Sequence, residues 1–149
     1  ESNLEDGGKP DIALVFSDDP ETVDKVDVVI VEFKKKAISL EHAMVAETQL
    51  KSRAMRLMEY YGNRIQRIWF YGIIDITPEI ELYLKGEYTP LYSKGKIFYR
   101  QASVVTQASP EIRVPIGIFM QDLDSMVSDA DARNSTFLNI IKERFSSGE

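Results

Sequence analysis

Two short pieces of the chain, Pro10–Asp11 (PD) and Val28–Lys34 (VVIVEFK), decide the fold. Each borders an apolar run that is typical of a β-strand, and the segment between them contains the turn-forming cluster Ser17–Glu21 (SDDPE). An antiparallel pair that sets residue 11 opposite residue 32 must turn near residue 21, which is where this cluster lies. The sequence therefore predicts a β-hairpin whose open end carries Asp11 and Glu32.

The end of the second strand carries a lysine next to the acid. Side chains alternate along a strand, so Glu32 and Lys34 are predicted to share one face with Val28 and Ile30. Carboxylates bind a hard cation such as Mg²⁺, and a nearby lysine can orient a water molecule for attack on phosphorus. With Asp11, this set has the groups that metal-dependent phosphodiester hydrolysis needs. The alternative is a solvated hairpin end in which the acids stand by chance.

The segment after the hairpin changes to helical spacing. A helix is predicted over Leu40–Tyr61, with Ser39 as its N-cap and Gly62 as its stop. Arg67–Ile74 follows as a strand rich in aromatic and β-branched residues, so the helix is a crossover in the order β-β-α-β. The predicted core positions of this helix are Ala43, Ala46, Leu50, Ala54, Leu57 and Tyr61.

A second stripe on the same helix is polar and basic. Gln49, Arg53 and Arg56 follow one another at three- and four-residue steps, which places one amide and two guanidinium groups in a row. A solvated helix face is the alternative interpretation of this row. His42, in the first turn, is the one histidine of the sequence and is not expected to be catalytic.

The rest of the chain is predicted in less detail. Ile12–Phe16 is expected to be a short buried strand, and Thr77–Lys85 a short helix. A hairpin-like segment is expected over Lys96–Gln107. The strand Arg113–Met120 is expected to lie at a sheet edge or to begin after Pro115, because proline lacks the N–H that a central strand donates.

Two closing helices are predicted, over Asp122–Ala132 and Ser135–Phe145. The second is expected to present four apolar side chains to the core: Phe137, Leu138, Ile141 and Phe145. Trp69, Phe70 and Tyr71 are likewise expected in the core, which excludes them as base-stacking platforms. The three acids Asp75, Asp122 and Asp124 stand at element ends, where carboxylates are common, and are left out of the candidate site.

Composition limits the classes of protein that this chain can be. Its 149 residues, 44% of them hydrophobic, suit one domain over residues 10–149, preceded by a linker or truncated N-terminus over residues 1–9. The absence of cysteine excludes disulfides and thiolate metal sites. No apolar run approaches the roughly 20 residues that cross a bilayer. We expect a cytoplasmic protein without membrane contact, and a domain that belongs to a longer protein.

The charge of the chain is uneven. The net charge is −6, which alone argues against nucleic-acid binding. Residues 1–32 hold ten acids and two bases, whereas residues 33–67 hold eight bases and three acids, a local charge of +5. Residues 68–149 hold eleven acids and eight bases. The basic segment therefore begins at Lys34 and continues through the helix that follows.

In Pro10–Asp11 and Glu32–Phe33–Lys34, with 20 residues between the acids, the sequence resembles the PD-(D/E)XK superfamily of restriction-endonuclease-like nucleases. The resemblance covers residues 10–75 and implies a mixed β-sheet flanked by helices, an α/β fold. It also implies Asp11 and Glu32 as ligands of Mg²⁺ or Mn²⁺, with the Phe33 carbonyl as a further ligand. Lys34 would orient the attacking water.

The resemblance also suggests groups that bind the substrate. Several branches of the superfamily carry a glutamine on the helix after the Glu-x-Lys, where Gln49 stands, and it would contact substrate or water. Lys36, Arg53 and Arg56 would bind flanking phosphates. The superfamily core usually starts with an acid-bearing helix, which is not seen before Asp11. The closing stretch Asp131–Phe137 is more distantly similar to C-terminal domains of bacterial histidine-kinase-type ATPase proteins.

Two functions remain open at this point. The first is a metal-dependent nuclease domain that acts on DNA rather than RNA, with a covalent neighbour such as an ATPase domain. The second is a catalytically inactive domain of the same fold that serves dimerisation or partner docking, since fold does not dictate activity. Homodimerisation is compatible with either, although no heptad repeat is recognised.

Overall fold

The computed structural model describes residues 12–16, 24–34, 39–91, 95–105 and 111–147. Its elements in chain order are β1 (Ile12–Phe16), β2 (Val26–Phe33), α1 (Leu40–Tyr61), a 3₁₀ turn (Gly62–Arg64), β3 (Ile65–Ile73), α2 (Pro78–Glu87), β4 (Thr89–Pro90), β5 (Ile97–Val105), β6 (Arg113–Gln121) and α3 (Leu123–Ser146). The fold is mixed α/β, as the sequence predicts.

The strands form one mixed sheet in the order β1-β2-β3-β6-β5-β4. β2, β3 and β6 are parallel to one another, whereas β1 pairs antiparallel to β2 and β5 antiparallel to β6. The carboxyl ends of the three parallel strands therefore meet at one edge, next to the amino end of β1. In open α/β sheets this edge is the usual place for a ligand.

The predicted hairpin register is confirmed over all five pairs of β1 and β2, from Ile12 opposite Val31 to Phe16 opposite Asp27. The turn cluster Ser17–Glu21 lies outside the described residues. The burial of β1 was predicted wrongly, because its five residues are all exposed. β1 is the outer strand of the sheet, so it has a neighbour on one side alone.

α1 begins and ends where its sequence pattern predicts. The Ser39 hydroxyl accepts a hydrogen bond from the His42 backbone N–H (3.2 Å), which satisfies one free donor of the first turn. The helix covers the sheet with Ala43, Leu50, Ala54 and Met58, all buried. Because α1 returns the chain from β2 to the parallel strand β3, it crosses one face of the sheet, where it contacts β3 and β5.

Two predictions about the second half of the sheet were wrong. Residues 97–105 form one long strand, β5, rather than a hairpin, and its antiparallel partner is β6. β6 includes Pro115 and lies between β3 and β5, not at an edge. The proline is tolerated because pairing with β3 begins at Ile116, so Pro115 has a partner on the β5 side alone.

The end of the chain is one helix of 24 residues, α3, rather than two. The side chains predicted to enter the core do not do so: Phe137, Leu138 and Phe145 are exposed. Ser125, in the first turn, is the buried residue of α3 within the described part of the chain. The apolar period of α3 was identified correctly, but the face it forms does not pack on the sheet.

The sheet face away from α1 and α2 carries a row of aromatic side chains. Phe119 stacks on Tyr71 at 4.9 Å between ring centroids and lies 4.9 Å from Tyr99 and 6.1 Å from Trp69. Gly117 makes room for Trp69, since a Cβ at this position would lie 2.6 Å from the indole ring. Phe70 is in the core as predicted, whereas Trp69 and Tyr71 are half-buried on this opposite face.

Within the described ranges, no helix has the length and apolar character needed to cross a membrane.

Candidate active site

Glu32 closes the buried face of β2. The strand alternates between buried and half-buried residues, and Val28 and Ile30 precede Glu32 on its buried side. The predicted shared face of these three residues is confirmed. Because a carboxylate that is only 9% exposed loses most of its hydration, it requires a charged or hydrogen-bonding partner.

Arg53 is that partner. Its guanidinium forms an ion pair with the Glu32 carboxylate, Nη1 against Oε1, and the Arg53 side chain is 13% exposed. The crossover connection explains the contact, since α1 runs back over β2 and turns one side of its polar stripe toward the sheet. Arg53 was predicted to bind a substrate phosphate, and its pair with Glu32 was not predicted. The phosphate contact stays a prediction, and positioning of Glu32 is added to it.

A small cavity joins the predicted residues. Glu32, Lys34, Gln49 and Arg53 line it together, so the structure brings four of the named site residues to one place. The apolar part of its wall is formed by Ala46, Phe70, Gly72, Ile74 and Met120. The volume open to a water-sized sphere is about 10 Å³, close to the minimum that one water molecule needs.

Gly72 shapes the wall of this small cavity. It lies opposite Glu32 in the register of β2 and β3. A Cβ here would lie 2.5 Å from Met120 Sδ and 3.3 Å from Phe70 Cε1, so a larger residue at this position would require the Met120 side chain to move. The tight packing of Met120 against Gly72 closes the cavity on the side of the core.

Lys34 also lines a second, larger cavity of about 290 Å³ at the carboxyl edge of the sheet. The Lys34 backbone N–H donates to the Ile73 carbonyl (2.9 Å), which fixes the chain beside the end of β3. Phe33, whose side chain is exposed, contributes to the same wall. Lys34 thus stands between the two cavities and is half-buried.

Three acids line the larger cavity: Asp75, Asp122 and Asp124. All three were left out of the predicted site. Asp122 also accepts a hydrogen bond from the Ser125 backbone N–H (2.7 Å) as the N-cap of α3. Their positions after β3 and β6 were the available clue, because the carboxyl ends of parallel strands meet. This clue can be used only if β6 is known to be a central parallel strand. Pro115 had indicated an edge strand instead.

The other predicted site residues are placed as follows. Asp11 and Lys36 lie outside the described residues. Arg56 is exposed on α1, and Gln49 is exposed where it borders the small cavity. Within the part of the chain that the structure describes, no group of three or more acids or histidines is placed to hold a metal ion. Glu32 is thus the one carboxylate of the proposed metal pair whose position is described.

A second buried acid, Glu47, lies on α1, before Gln49 and Arg53 in the chain. Glu47 accepts a hydrogen bond from the Tyr88 hydroxyl at Oε2 (2.9 Å) and from Arg100 Nη1 at Oε1 (3.1 Å). Burial, and then the Glu47 charge, raise the pKa of Tyr88 well above its ordinary value. Lys51 lies 3.8 Å from Oε1. This network connects α1 to the chain after α2 and to β5, and sequence periodicity did not predict it.

Comparisons with protein-family models, with curated proteins and with solved structures find no match to this chain. The candidate site therefore stands on its residues and their geometry.

Proposed function

We propose that this chain is a metal-dependent phosphodiesterase domain of the restriction-endonuclease-like type, acting on nucleic acid, with DNA as its substrate. The observation that carries the proposal is the small cavity at the carboxyl edge of the sheet, where Glu32, Lys34 and Gln49 meet. A buried acid, a lysine and an amide around a space for one water molecule are suited to hydrolysis.

The second acid comes from the hairpin register. In the antiparallel pair of β1 and β2, each residue forward along β1 lies opposite one residue back along β2, beginning with Ile12 opposite Val31. One further pair in the same register would set Asp11 opposite Glu32. Two carboxylates there, with the Phe33 carbonyl, form an all-oxygen donor set of the kind that Mg²⁺ or Mn²⁺ prefers. The affinity of Glu32 for a cation is supported by its ion pair with Arg53.

Bound Mg²⁺ would lower the pKa of a coordinated water and offset the charge that builds on the phosphate. Residues of the chain would bind and orient the water and the phosphate. Lys34, between the two cavities, donates to the attacking water and to a non-bridging phosphate oxygen. Gln49 holds the water by its amide. Arg53 holds the Glu32 carboxylate in position in the absence of substrate, so its guanidinium must release or share that carboxylate during catalysis.

The substrate would approach from the larger cavity. Its volume of about 290 Å³ suits a small part of a polynucleotide, and Lys34 forms part of its wall. Lys36 and Arg56 would bind phosphates on either side of the scissile bond through charge alone. The acids Asp75, Asp122 and Asp124 border the same cavity and would repel a phosphate placed directly against them.

A second function, a docking domain without catalysis, is favoured by one observation. Glu32 already has a cationic partner in Arg53, which offsets the cost of burying a carboxylate without a metal. In that case Lys34 and Gln49 would border a cavity that is never used. Activity measurements distinguish the two functions.

The test is cleavage of plasmid DNA, linear DNA and RNA with Mg²⁺, with Mn²⁺ and with chelator. We expect metal-dependent cleavage by the wild type and a loss of roughly 100-fold or more in rate for Asp11→Ala and Lys34→Ala. Lys85→Ala removes a lysine that pairs with Glu81 on exposed α2 and is the matched control. Equal cleavage by all four proteins, or none by the wild type on any substrate, would reject the proposal.

A further inference from the structure

Most apolar residues of α3 form one continuous stripe along the whole helix, and Met126, Ala132 and Ile140 lie outside it. At 3.6 residues per turn the stripe is about 100° wide. Its members are Leu123, Val127, Ala130, Asn134, Phe137, Leu138, Ile141 and Phe145. The large ones among them are exposed, apart from Ile141, which is half-buried. A stripe of this length is the usual mark of a helix that packs against another element.

The stripe faces away from the point where α3 is attached. Ser125 is the buried residue of α3 in the described structure, and its hydroxyl accepts a hydrogen bond from the Lys96 backbone N–H (2.7 Å). By helical geometry Ser125 lies on the opposite side of the helix from Asn134 and Ile141. With 24 residues, α3 is about 36 Å long. The attachment therefore leaves the stripe available along most of that length.

The charges of α3 are divided between its two halves. Residues 123–133 contain three acids and one base, and residues 134–146 contain two bases and one acid. The acids Asp124 and Asp131 and the base Lys142 all lie on the same flank of the stripe, by the 3.6-residue repeat. A partner helix that is complementary to α3 must therefore be basic opposite the first half and acidic opposite the second.

A second copy of α3, running in the opposite direction, has that distribution. We propose that α3 pairs antiparallel with α3 of a second copy of this chain, about a two-fold axis near Asn134 and Ser135. In an antiparallel pair like flanks meet, so Lys142 of each copy lies between Asp124 and Asp131 of the other. A parallel pair would instead place acids against acids. The proposal does not rest on the proposed function.

The polar member of the stripe fits the same arrangement. Asn134 is the one amide among apolar residues, and it lies at the middle of the helix. At a two-fold axis the two Asn134 side chains meet and can donate and accept hydrogen bonds with each other. A single buried asparagine of this kind fixes the register and the number of helices in a pair. Ala130 then lies toward the larger Leu138 of the other copy.

The first test measures mass in solution by sedimentation equilibrium. We expect the wild type at twice the 17.0 kDa of the chain, and the double variant Phe137→Asp, Ile141→Asp at the mass of one chain. Thr136→Asp places the same charge on the far side of α3 and should remain dimeric. Circular dichroism shows that each variant is folded. A monomeric wild type at about 100 µM, or a dimeric double variant, would overturn the proposal.

The second test reverses charge on exposed residues and leaves folding intact. Lys142→Glu should raise the dimer dissociation constant at least roughly tenfold, because glutamate then faces two aspartates in each copy. Adding Asp131→Lys to the same chain restores opposite charges across an antiparallel contact and should recover most of the lost affinity. A combined variant as weak as Lys142→Glu alone would exclude the antiparallel arrangement.

Discussion

Glu32 and Glu47 have the same exposure, 9%, but very different surroundings. Both carboxylates lie between α1 and the sheet. Glu47 has donors at both of its oxygens, from Tyr88 and Arg100, and Lys51 is close to one of them. Such a carboxylate is fully engaged within the protein, and its partners come from separate elements. It holds the structure together and has little capacity left for a ligand.

Among the described residues Glu32 pairs with one charged side chain, that of Arg53, and it borders a cavity together with Lys34 and Gln49. It stands at the end of a parallel strand, whereas Glu47 stands in the middle of a helix. The comparison teaches that burial alone does not identify a functional acid. Glu47 also borders a cavity, of about 270 Å³, so contact with open space does not separate the two acids either. The difference lies in their partners: a carboxylate whose oxygens both accept from donors stabilises the fold, and one that keeps an oxygen for water or metal can take part in chemistry.

The largest expected difference between the two acids is in catalysis. Glu32→Gln should reduce metal-dependent phosphodiester cleavage by roughly 100-fold or more, about 2.7 kcal/mol of barrier. Glu47→Gln should change the rate per folded molecule by less than about threefold, since Glu47 does not border the small cavity. Single-turnover rates on one DNA substrate measure both. A similar loss in the two variants would remove the distinction.

Stability should respond in the opposite order. Glu47→Gln leaves the Tyr88 and Arg100 donors facing a neutral amide, and we expect a loss of about 2 kcal/mol in the free energy of unfolding. Glu32→Gln should lower the free energy of unfolding by less, because the substitution removes the charged partner of one side chain, Arg53. Urea unfolding at neutral pH measures both values. A larger loss for Glu32→Gln than for Glu47→Gln would contradict the structural role assigned to Glu47.

We expect the Tyr88 hydroxyl to make a smaller contribution to the free energy of unfolding, and this contribution should depend on pH. Tyr88→Phe removes one hydrogen bond to a carboxylate, which should cost about 1–2 kcal/mol near neutral pH. Burial and the Glu47 charge raise the folded-state pKa of Tyr88 above its ordinary value of 10.0. The folded state thus holds this proton more tightly, and the resulting stability is present below pH 10 and lost as pH rises above it.

The difference in unfolding free energy between wild type and Tyr88→Phe should therefore narrow between about pH 9.5 and 11. Urea unfolding across this range measures it. A difference that widens as pH rises would mean that Tyr88 does not carry the raised pKa.

The smallest expected effect concerns the outer member of the Glu47 network. Lys51 lies 3.8 Å from Glu47 and its side chain is 42% exposed. Lys51→Ala should change the unfolding free energy by about 0.5 kcal/mol or less, as is usual for an exposed ion pair. A loss comparable to that of Glu47→Gln would show that Lys51, and not Tyr88 and Arg100, holds the carboxylate. Urea unfolding in low and high salt measures the contribution.

The parts of the fold that were predicted correctly depend on short-range patterns. The ends of β1 and α1, the Ser39 cap and the β1–β2 register each follow from spacing within a few residues or from one turn. The cavity around Glu32 was predictable in part for the same reason. Strand alternation places Glu32 and Lys34, and the helix that follows supplies Gln49.

The parts that were missed depend on long-range contacts or on what lies opposite a face. Glu47 lies within the apolar stripe of α1, and its partners Tyr88 and Arg100 are far away in sequence, so no pattern near Glu47 predicts them. The prediction for Pro115 assumed that a central strand must form backbone hydrogen bonds on both of its sides at that residue. The apolar stripe of α3 was recognised, but periodicity states only that a face is to be covered. It does not identify the surface that covers it.

The most direct test of the central claim is a crystal structure of the chain with Mn²⁺ and a mononucleotide, which supplies the phosphate of a substrate. We predict an anomalous difference peak bridging Asp11 and Glu32 at about 2.0–2.3 Å from their oxygens, with Arg53 displaced from Glu32 and Lys34 directed at the phosphate. A structure in which Arg53 still holds Glu32, with Mn²⁺ absent from both carboxylates, would contradict the account.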